Sequence, residues 1–339
     1  MNDKSPLSNQ EVEQLWQAIQ TANADEAHKR KRRRVWLTTS IVSAACVAGL
    51  LVVSLLIKPT VAETDIENFA RHEPPANYQA PNTQLILSDK QTVELKEKES
   101  VIVYDSTSIK VNNHPQKIVN TQPSTYNRLI VPMGKRSTLT LADGSRLWVN
   151  AGTQVVYPVT FQDNRREIYV DGEIYIDVAA DATRPFVVKT KEIDVQVIGT
   201  EFNVTSYDDE TVTRVVLVKG AVNITDKSNR SETVLAPDEM FEHNPSGDRV
   251  ESVDVSLFTA WKEGMFIFRG DRISTILRRL SKYYGEEIVC DEASGELRCS
   301  GKLDLKSSLD EVLRGLTITA PIAYSREQQT HVINYQKNP

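Results

Sequence analysis

The sequence lacks the motifs that mark most catalytic and cofactor-binding sites. A Gly-rich phosphate loop, a G-x-G-x-x-G fingerprint and a G-x-S-x-G nucleophile turn are all absent. Nothing in the sequence pairs Cys290 or Cys299 with a base that would activate a thiol. The five histidines are scattered, with no metal-ligand spacing such as H-x-x-x-H: His28, His72, His114, His243 and His331. We therefore expect a protein that is not an enzyme and that needs no metal or cofactor.

Charge is missing from one long stretch near the N-terminus. Residues 35–57 contain no charged side chain, and a helix over them would be about 34 Å long at about 1.5 Å per residue. That length exceeds a bilayer core of about 30 Å, so the stretch predicts a single transmembrane helix. Six cationic residues precede it and serve as an orientation signal, which keeps the N-terminus cytoplasmic: Lys29, Arg30, Lys31, Arg32, Arg33 and Arg34.

Three other interpretations of this region are weaker, one of which is a buried core helix. A signal peptide cut after Ala62 would have a shorter apolar part and would begin at the extreme N-terminus. A nucleic-acid patch is the second alternative, but the basic run directly adjoins the apolar stretch, which favours membrane orientation. The sequence therefore predicts a permanent anchor and no direct contact with nucleic acid.

The segment before the anchor offers one amphipathic helix. Residues 1–34 carry a net charge of +2, and the remaining chain carries −8 of the total of −6. Ser8 and Glu11 have the spacing of a capping box. An apolar stripe follows at helical spacing: Val12, Leu15, Trp16 and Ile19. A short helix needs a cover for such a face, so we expect a protein partner, the membrane surface, or a helix that merely extends the anchor.

Beyond the anchor, residues 58–82 are rich in proline and predict an extended linker. From Thr83 the pattern alternates between apolar and polar residues, and residues 83–255 predict an all-β domain of short antiparallel strands, a sandwich or roll. The pattern repeats after 54 residues, with Leu85 matching Leu139 and Val93 matching Leu147. Asp143-Gly144 and Asp171-Gly172 are typical of hairpin turns.

Residues 256–339 mix helical and strand periods and predict a small α+β domain of order β-α-β-β-α-β-β. One helix carries an apolar stripe: Ile273, Ile276, Leu277, Leu280 and Tyr284. Ser308 and Glu311 form a second capping box, before another helix. The whole chain is thus expected to be mainly β with an α+β domain, behind one transmembrane helix.

Several of these segments resemble the FecR family of membrane-spanning anti-sigma factors. "VPMGKRSTLTLADGSRLWVNAGTQVVYPVTF", "VQVIGTEFNVTSY" and "VLVKGAVNI" are similar to the FecR domain. "AWKEGMFIFRGDRISTILRRLSKYYGEEI", "CSGKL" and "SLDEVLRGL" resemble its C-terminal companion, which is similar to the short signalling domain of secretins and TonB-dependent transducers.

The resemblance implies an inner-membrane protein with periplasmic C-terminal domains. Such a protein binds an extracytoplasmic-function sigma factor through its cytoplasmic segment and reads the N-terminal signalling domain of a TonB-dependent outer-membrane transducer. The sigma contact would be the stripe from Val12 to Ile19. The family usually has a cytoplasmic region of about 80 residues with several helices, whereas this chain has 34 residues before its apolar run.

Two further expectations concern processing and alternatives. The Pro-rich stretch after the anchor is the kind of tether at which proteolysis concentrates, so an intramembrane protease is a candidate partner. A different function, an anchored periplasmic scaffold or glycan-binding module, would use exposed aromatic residues. The candidates lie in or beside strand patterns and are expected in the core: Trp148, Tyr157, Tyr169, Tyr175 and Trp261.

Cys290 and Cys299 flank a candidate two-residue turn at Ser294-Gly295, which would place them directly opposite each other in a hairpin. The compartment beyond the membrane is oxidising and allows a disulfide there. Directly facing positions lie at the short end of the usual Cα separation, and buried free cysteine is common. A disulfide and two free thiols are both open on the sequence.

Overall fold

The computed structural model describes residues 65–104, 108–112, 114–117, 126–162 and 164–336. These belong to one compact unit, in which a β domain is followed by a smaller α+β part, termed here the module. The predicted anchor, the cationic run and the N-terminal stripe lie outside the described residues. Within the described ranges, no helix is both long and apolar enough to cross a membrane.

The β domain contains one helix and eighteen described strands. The helix is α1 (Asp65–His72). The strands are β1 (Thr83–Ile86), β2 (Thr92–Leu95), β3 (Glu99–Tyr104), β4 (Ser108–Val111), β5 (His114–Lys117), β6 (Tyr126–Val131), β7 (Arg136–Thr140), β8 (Arg146–Val149), β9 (Thr153–Pro158), β10 (Arg166–Asp177), β11 (Phe186–Lys189), β12 (Ile193–Val197), β13 (Glu201–Ser206), β14 (Thr213–Lys219), β15 (Val222–Asp226), β16 (Glu232–Leu235), β17 (Glu239–Asn244) and β18 (Gly247–Ser252).

These strands form two sheets that share the long strand β10. Sheet A contains β1, β2, β6, β9, β11, β12, β15 and β16, and sheet B contains β3, β4, β5, β7, β8, β13, β14, β17 and β18. One apolar core takes side chains from both sheets, such as Leu85 and Phe186 from sheet A and Leu139 and Phe202 from sheet B. The prediction of a mainly β protein is confirmed. The pairing is mostly antiparallel, but β3 with β7 and β10 with β11 are parallel.

The 54-residue repeat is confirmed in the strand register. Leu85 faces Val93 in the pair of β1 and β2, and Leu139 faces Leu147 in the pair of β7 and β8. The turns also match, because Asp89 and Asp143 each accept a hydrogen bond at Oδ1 from the backbone amide two residues later, at 3.0 Å in both cases. The same strand-turn-strand unit therefore occurs twice in the domain.

The predicted hairpin turn at Asp171-Gly172 is wrong. β10 runs straight through these residues and changes sheets there: residues 166–171 pair in sheet A and residues 172–177 pair in sheet B. Gly172 has φ +129°, and a Cβ at this position would lie 2.6 Å from Thr153 Cα. The glycine permits a close approach of β10 to the start of its antiparallel neighbour β9, and local sequence patterns cannot distinguish such a glycine from one in a turn.

The prediction of an extended linker over residues 58–82 is wrong for residues 65–72, which form α1. Ile66 is buried and packs with Val156 and Tyr169 of sheet A. The prediction relied on four prolines, of which Pro59 precedes the helix while Pro74, Pro75 and Pro81 come after it has ended. A helix of eight residues with one buried isoleucine is too short to give a clear helical pattern in a Pro-rich sequence.

The module contains α2 (Ser256–Thr259), a 3-10 turn (Ala260–Glu263), β19 (Met265–Arg272), α3 (Ile273–Tyr284), β20 (Ile288–Cys290), α4 (Glu292–Glu296), β21 (Arg298–Asp304), α5 (Leu309–Thr319), β22 (Ile322–Glu327) and β23 (Thr330–Tyr335). The apolar sides of α3 and α5 pack together with the strands in a second core. The capping box of Ser308 and Glu311 is confirmed at the start of α5.

The predicted order of the module needs two corrections. The short helix α4 occupies the place of the predicted turn, so the order is β-α-β-α-β-α-β-β. The strands form two small sheets, β19 with β21 and β20-β23-β22, where one sheet was expected. Asp291 caps α4 by accepting a hydrogen bond from the Ser294 amide at 2.7 Å, a local contact that competes with a hairpin turn.

Candidate functional site

The residues that the sequence marks as sites fall into two groups. The predicted sigma contact and the orientation signal, residues 12–19 and 29–34, lie outside the described residues. Cys290 and Cys299 are described and are free thiols. The hairpin that was expected to pair them is not formed, because β20 pairs with β23 while β21 pairs with β19 in the other sheet. Burial raises the pKa of both thiols.

The junction between the β domain and the module is the candidate site, and a pair of glycines lies at its centre. The Gly134 amide donates a hydrogen bond to the Lys282 carbonyl oxygen at 2.9 Å. Gly134 has φ +77° and Gly285 has φ +72°. A Cβ on Gly134 would lie 2.7 Å from the Tyr284 carbonyl oxygen, and one on Gly285 would lie 2.9 Å from the Met133 carbonyl oxygen. The two backbones therefore approach more closely than any other residue type permits.

Charged side chains surround this backbone contact. Lys282 Nζ lies 3.2 Å from Asp209 Oδ1 and 3.0 Å from Glu210 Oε1, and it lies 3.5 Å from the centre of the Tyr207 ring. From the β domain, the Arg136 guanidinium stacks over the Tyr283 ring at 3.9 Å. The Lys282 side chain is only 12% exposed and that of Glu210 19%, so this pair is partly shielded from water, whereas Asp209 is 67% exposed.

A network of side-chain hydrogen bonds connects the start of the module to sheet B. Trp261 Nε1 donates to Asn203 Oδ1 at 3.1 Å, and Asn203 Nδ2 donates to Glu173 Oε1 at 3.1 Å. Asn150 Nδ2 also donates to Glu173, at 2.7 Å. The tryptophan, the carboxylate and both amides are nine-tenths buried or more. This network holds the module against sheet B, in addition to the ion pairs of Lys282.

The outer face of sheet B carries a row of facing residues across five strands. Glu173 faces Thr205, which faces Arg214, which faces Glu242, which faces Arg249. Glu242 accepts from Arg214 Nε at 2.7 Å and from Arg249 Nε at 3.0 Å. Burial raises the pKa of Glu242, but these two cations outweigh it and hold the pKa below its usual range.

A cleft of about 480 Å³ lies between this row and helix α3. Its module wall includes Phe266, Arg278 and Leu280, and Trp261 lines it as well. The β domain and the module are thus in tight contact at the glycine pair and at Trp261, with open space between these points.

One cluster has the residue types of a metal site. His243 Nδ1 lies 2.7 Å from Asp248 Oδ1 and 3.5 Å from Asp226 Oδ2. Both carboxylates face the same ring nitrogen, and Asp226 also accepts two hydrogen bonds from Ser228. These contacts form a polar cluster across β15, β17 and β18, and we assign it no catalytic or metal-binding role.

Sequence reasoning missed the junction. Gly285 ends α3 in the left-handed conformation, and a glycine after a helical stripe is a recognisable cap signal. Its contact with Gly134 joins positions far apart in the chain and leaves no local pattern. The expectation that the aromatic residues lie in the core is confirmed for Tyr157, Tyr169, Tyr175 and Trp261, which are buried, while Trp148 is partly exposed.

Comparisons with known proteins agree with this architecture. A model of the FecR protein family matches residues 127–223, and a model of the FecR C-terminal domain matches residues 265–333. Two crystal structures of a candidate anti-sigma factor from Parabacteroides distasonis ATCC 8503, at 1.65 Å and 2.50 Å, are each 30% identical to this chain. Their TM-scores are 0.57 and 0.58; the alignments cover 62% and 63% of this chain and 99% and 100% of the matched chains. No curated protein matches the chain. With both FecR parts in this order and solved relatives matched over their whole length, the chain belongs to the FecR family of anti-sigma factors.

Proposed function

We propose that this chain is a single-pass inner-membrane regulator. It holds an extracytoplasmic-function sigma factor on the cytoplasmic side and reads a TonB-dependent outer-membrane transducer on the periplasmic side. The observation that supports the proposal most is the order of parts: an apolar helical stripe, a cationic run, an uncharged run over residues 35–57, and then both FecR parts. This order fits a protein with a partner-binding segment in the cytoplasm, one membrane-spanning helix and two signal-receiving domains beyond it.

The cytoplasmic contact is proposed to be the stripe of Val12, Leu15, Trp16 and Ile19. An amphipathic helix with apolar residues at this spacing fits a hydrophobic groove on a partner protein. Holding a sigma factor in this way needs binding and no chemical step, which agrees with a regulatory family.

A co-purification experiment tests this contact. The double substitution Leu15→Asp and Trp16→Asp places two charges on the apolar stripe, and we expect it to abolish co-purification of the tagged full-length chain with its sigma factor. The matched control is Gln14→Asp with Gln17→Asp, which adds the same charge on polar positions of the same segment and should retain the partner. Equal recovery of the sigma factor with both variants would count against the proposed contact.

On the other side, the module is proposed to bind the signalling domain of the transducer. Lysine crosslinking of the purified full-length chain with that domain tests this. Lys302 and Lys306 of the module are exposed, and so is Lys191 of the β domain. We expect crosslinks from the two module lysines; crosslinks confined to Lys191 would contradict the assignment.

The alternative of an anchored glycan-binding module is less well supported. An aromatic platform for sugars needs exposed rings, whereas Tyr157, Tyr169, Tyr175 and Trp261 are at most 7% exposed. Tyr175 also donates a hydrogen bond to Glu201 at 3.0 Å, which keeps its polar end occupied.

A further inference from the structure

Residues 65–81, termed here the strap, connect the predicted anchor to the β domain and are fastened to it along their length. At the first end, Ile66 of α1 is 1% exposed and packs against Val156 and Tyr169 of sheet A. Glu67 forms ion pairs with Lys227 and, at 3.7 Å, with Lys189. The ring of Phe69 packs against Tyr126 with 5.2 Å between centroids.

The second half of the strap is held by hydrogen bonds. Arg128 Nη2 donates to the Pro74 carbonyl oxygen at 2.7 Å. Tyr78 donates from its hydroxyl to Asp171 Oδ2 at 2.5 Å, and its carbonyl oxygen accepts from the Met133 amide at 2.9 Å. Asp171 lies at the point where β10 changes sheets, so the strap is attached to a rigid part of the domain.

The segments that hold the strap also hold the module. Met133 binds Tyr78 through its amide, and the next residue, Gly134, binds the Lys282 carbonyl oxygen through its own amide. Asp171 Oδ1 accepts from the Asp208 amide at 2.9 Å. The two residues that follow Asp208, Asp209 and Glu210, form the ion pairs with Lys282. Residues 133–134 therefore contact the strap with one residue and the module with the next. Residues 208–210 contact the module directly and reach the strap through Asp171, which binds both the Asp208 amide and the Tyr78 hydroxyl.

We propose that fastening of the strap and docking of the module are coupled through these two pieces of chain. One planar peptide unit joins Met133 to Gly134, so a displacement of Gly134 away from Lys282 disturbs the Met133 amide that binds the Tyr78 carbonyl oxygen. A displacement of Asp209 and Glu210 disturbs the adjacent Asp208 amide and, through it, Asp171, which accepts from the Tyr78 hydroxyl. A partner that lifts the module therefore loosens the strap. The chain between α1 and β1 is already largely exposed, and loosening frees it to enter a protease. By linkage, release of the strap weakens docking of the module by the same factor.

The coupling rests on the proposed function, for which it supplies the step that follows binding of the transducer. It is nevertheless a property of this chain alone. A test needs neither the sigma factor nor the transducer, so failure of the coupling and failure of the relay can be told apart. The measurement is hydrogen exchange by mass spectrometry on the purified full-length chain. The reporting peptides cover residues 69–80 of the strap and residues 281–287 of the module.

The first variant is Lys282→Glu, which places like charges opposite Asp209 and Glu210. We expect exchange in residues 69–80 to become about fivefold faster or more, the lower end of typical coupling between sites. The matched control is Lys302→Glu, an exposed lysine of the same module, which should leave the strap unchanged. Faster exchange in residues 281–287 with wild-type exchange in the strap would overturn the proposal.

The reverse direction is tested with Tyr78→Phe, which removes the hydroxyl that donates to Asp171. We expect faster exchange in residues 281–287, whereas Tyr335→Phe, at an exposed tyrosine of the module, should have no effect there. If Lys282→Glu alters neither segment, Gly285→Val is added to force the two backbones apart. A strap that still exchanges at the wild-type rate in that double variant also overturns the proposal.

Discussion

A single methyl group at the glycine pair should weaken docking of the module measurably. In Gly134→Ala the new Cβ destabilises the fold in two ways. The residue must keep φ +77°, a left-handed conformation that costs a non-glycine residue about 1–2 kcal/mol. The Cβ would also lie 2.7 Å from the Tyr284 carbonyl oxygen and 3.2 Å from Gly285 Cα. Both are backbone atoms that cannot rotate away, and overpacking of this kind typically costs about 1–3 kcal/mol.

Gly144→Ala is a matched control for this prediction. Gly144 has φ +88°, and nothing lies within 4 Å of its Cβ position, so this variant has the conformational cost alone. We expect Gly134→Ala to lose about 2–5 kcal/mol of unfolding free energy and Gly144→Ala about 1–2 kcal/mol. Urea denaturation of the full-length variants, followed by tryptophan fluorescence, gives both values. Equal losses in the two variants would refute the close backbone contact between the β domain and the module.

Three further predictions concern the strap, the close approach of β9 and β10 at Gly172, and the two thiols. Burial raises the pKa of Glu67, but the hydrogen bond from Lys227 and the charges of Lys189 and Lys227 together bring the pKa below its ordinary value of 4.5. The ion pairs of Glu67 therefore stabilise the fold above about pH 4.5. This stabilisation is lost as the pH falls through the lowered pKa of the folded state. The protection of α1 against hydrogen exchange, corrected at each pH for the intrinsic amide exchange rate, should fall with acid in this window in the wild type and much less in Glu67→Gln. Parallel profiles of protection against pH would contradict this. Gly172→Ala should lose about 2–6 kcal/mol of unfolding free energy, because it combines φ +129° with a Cβ 2.6 Å from Thr153 Cα. An unchanged urea midpoint would show that β9 and β10 do not approach each other so closely there. Alkylation of the denatured, unreduced chain should label both Cys290 and Cys299, whereas a disulfide would leave both unlabelled.

Local patterns predicted much of the fold because neighbouring residues determine it. The register of β1 with β2 and of β7 with β8 follows from alternation around a polar turn, and Ser308 with Glu311 correctly marks the start of α5. Each of these features depends on residues within about a dozen positions of each other. The sequence therefore carried the information in a readable form.

The errors concern features that depend on contacts between distant segments. Gly172 looks like a turn glycine, but its conformation is required by Thr153 on another strand. The helix α1 is stabilised by Lys189 and Lys227, more than a hundred residues further along the chain. At Ser294-Gly295 two local structures compete, and the capping bond of Asp291 favours a helix over a hairpin. The junction has no sequence signal, since Gly134 and Lys282 meet only in the folded chain.

The central claim is that both folded parts lie on the opposite side of a membrane from the N-terminal stripe. A fusion of alkaline phosphatase after Pro339 tests it most directly, because this enzyme folds only in an oxidising compartment. We predict high phosphatase activity in intact cells, retained in the membrane fraction with the full-length chain. An inactive fusion, or active protein released into the soluble fraction, would contradict the proposed topology.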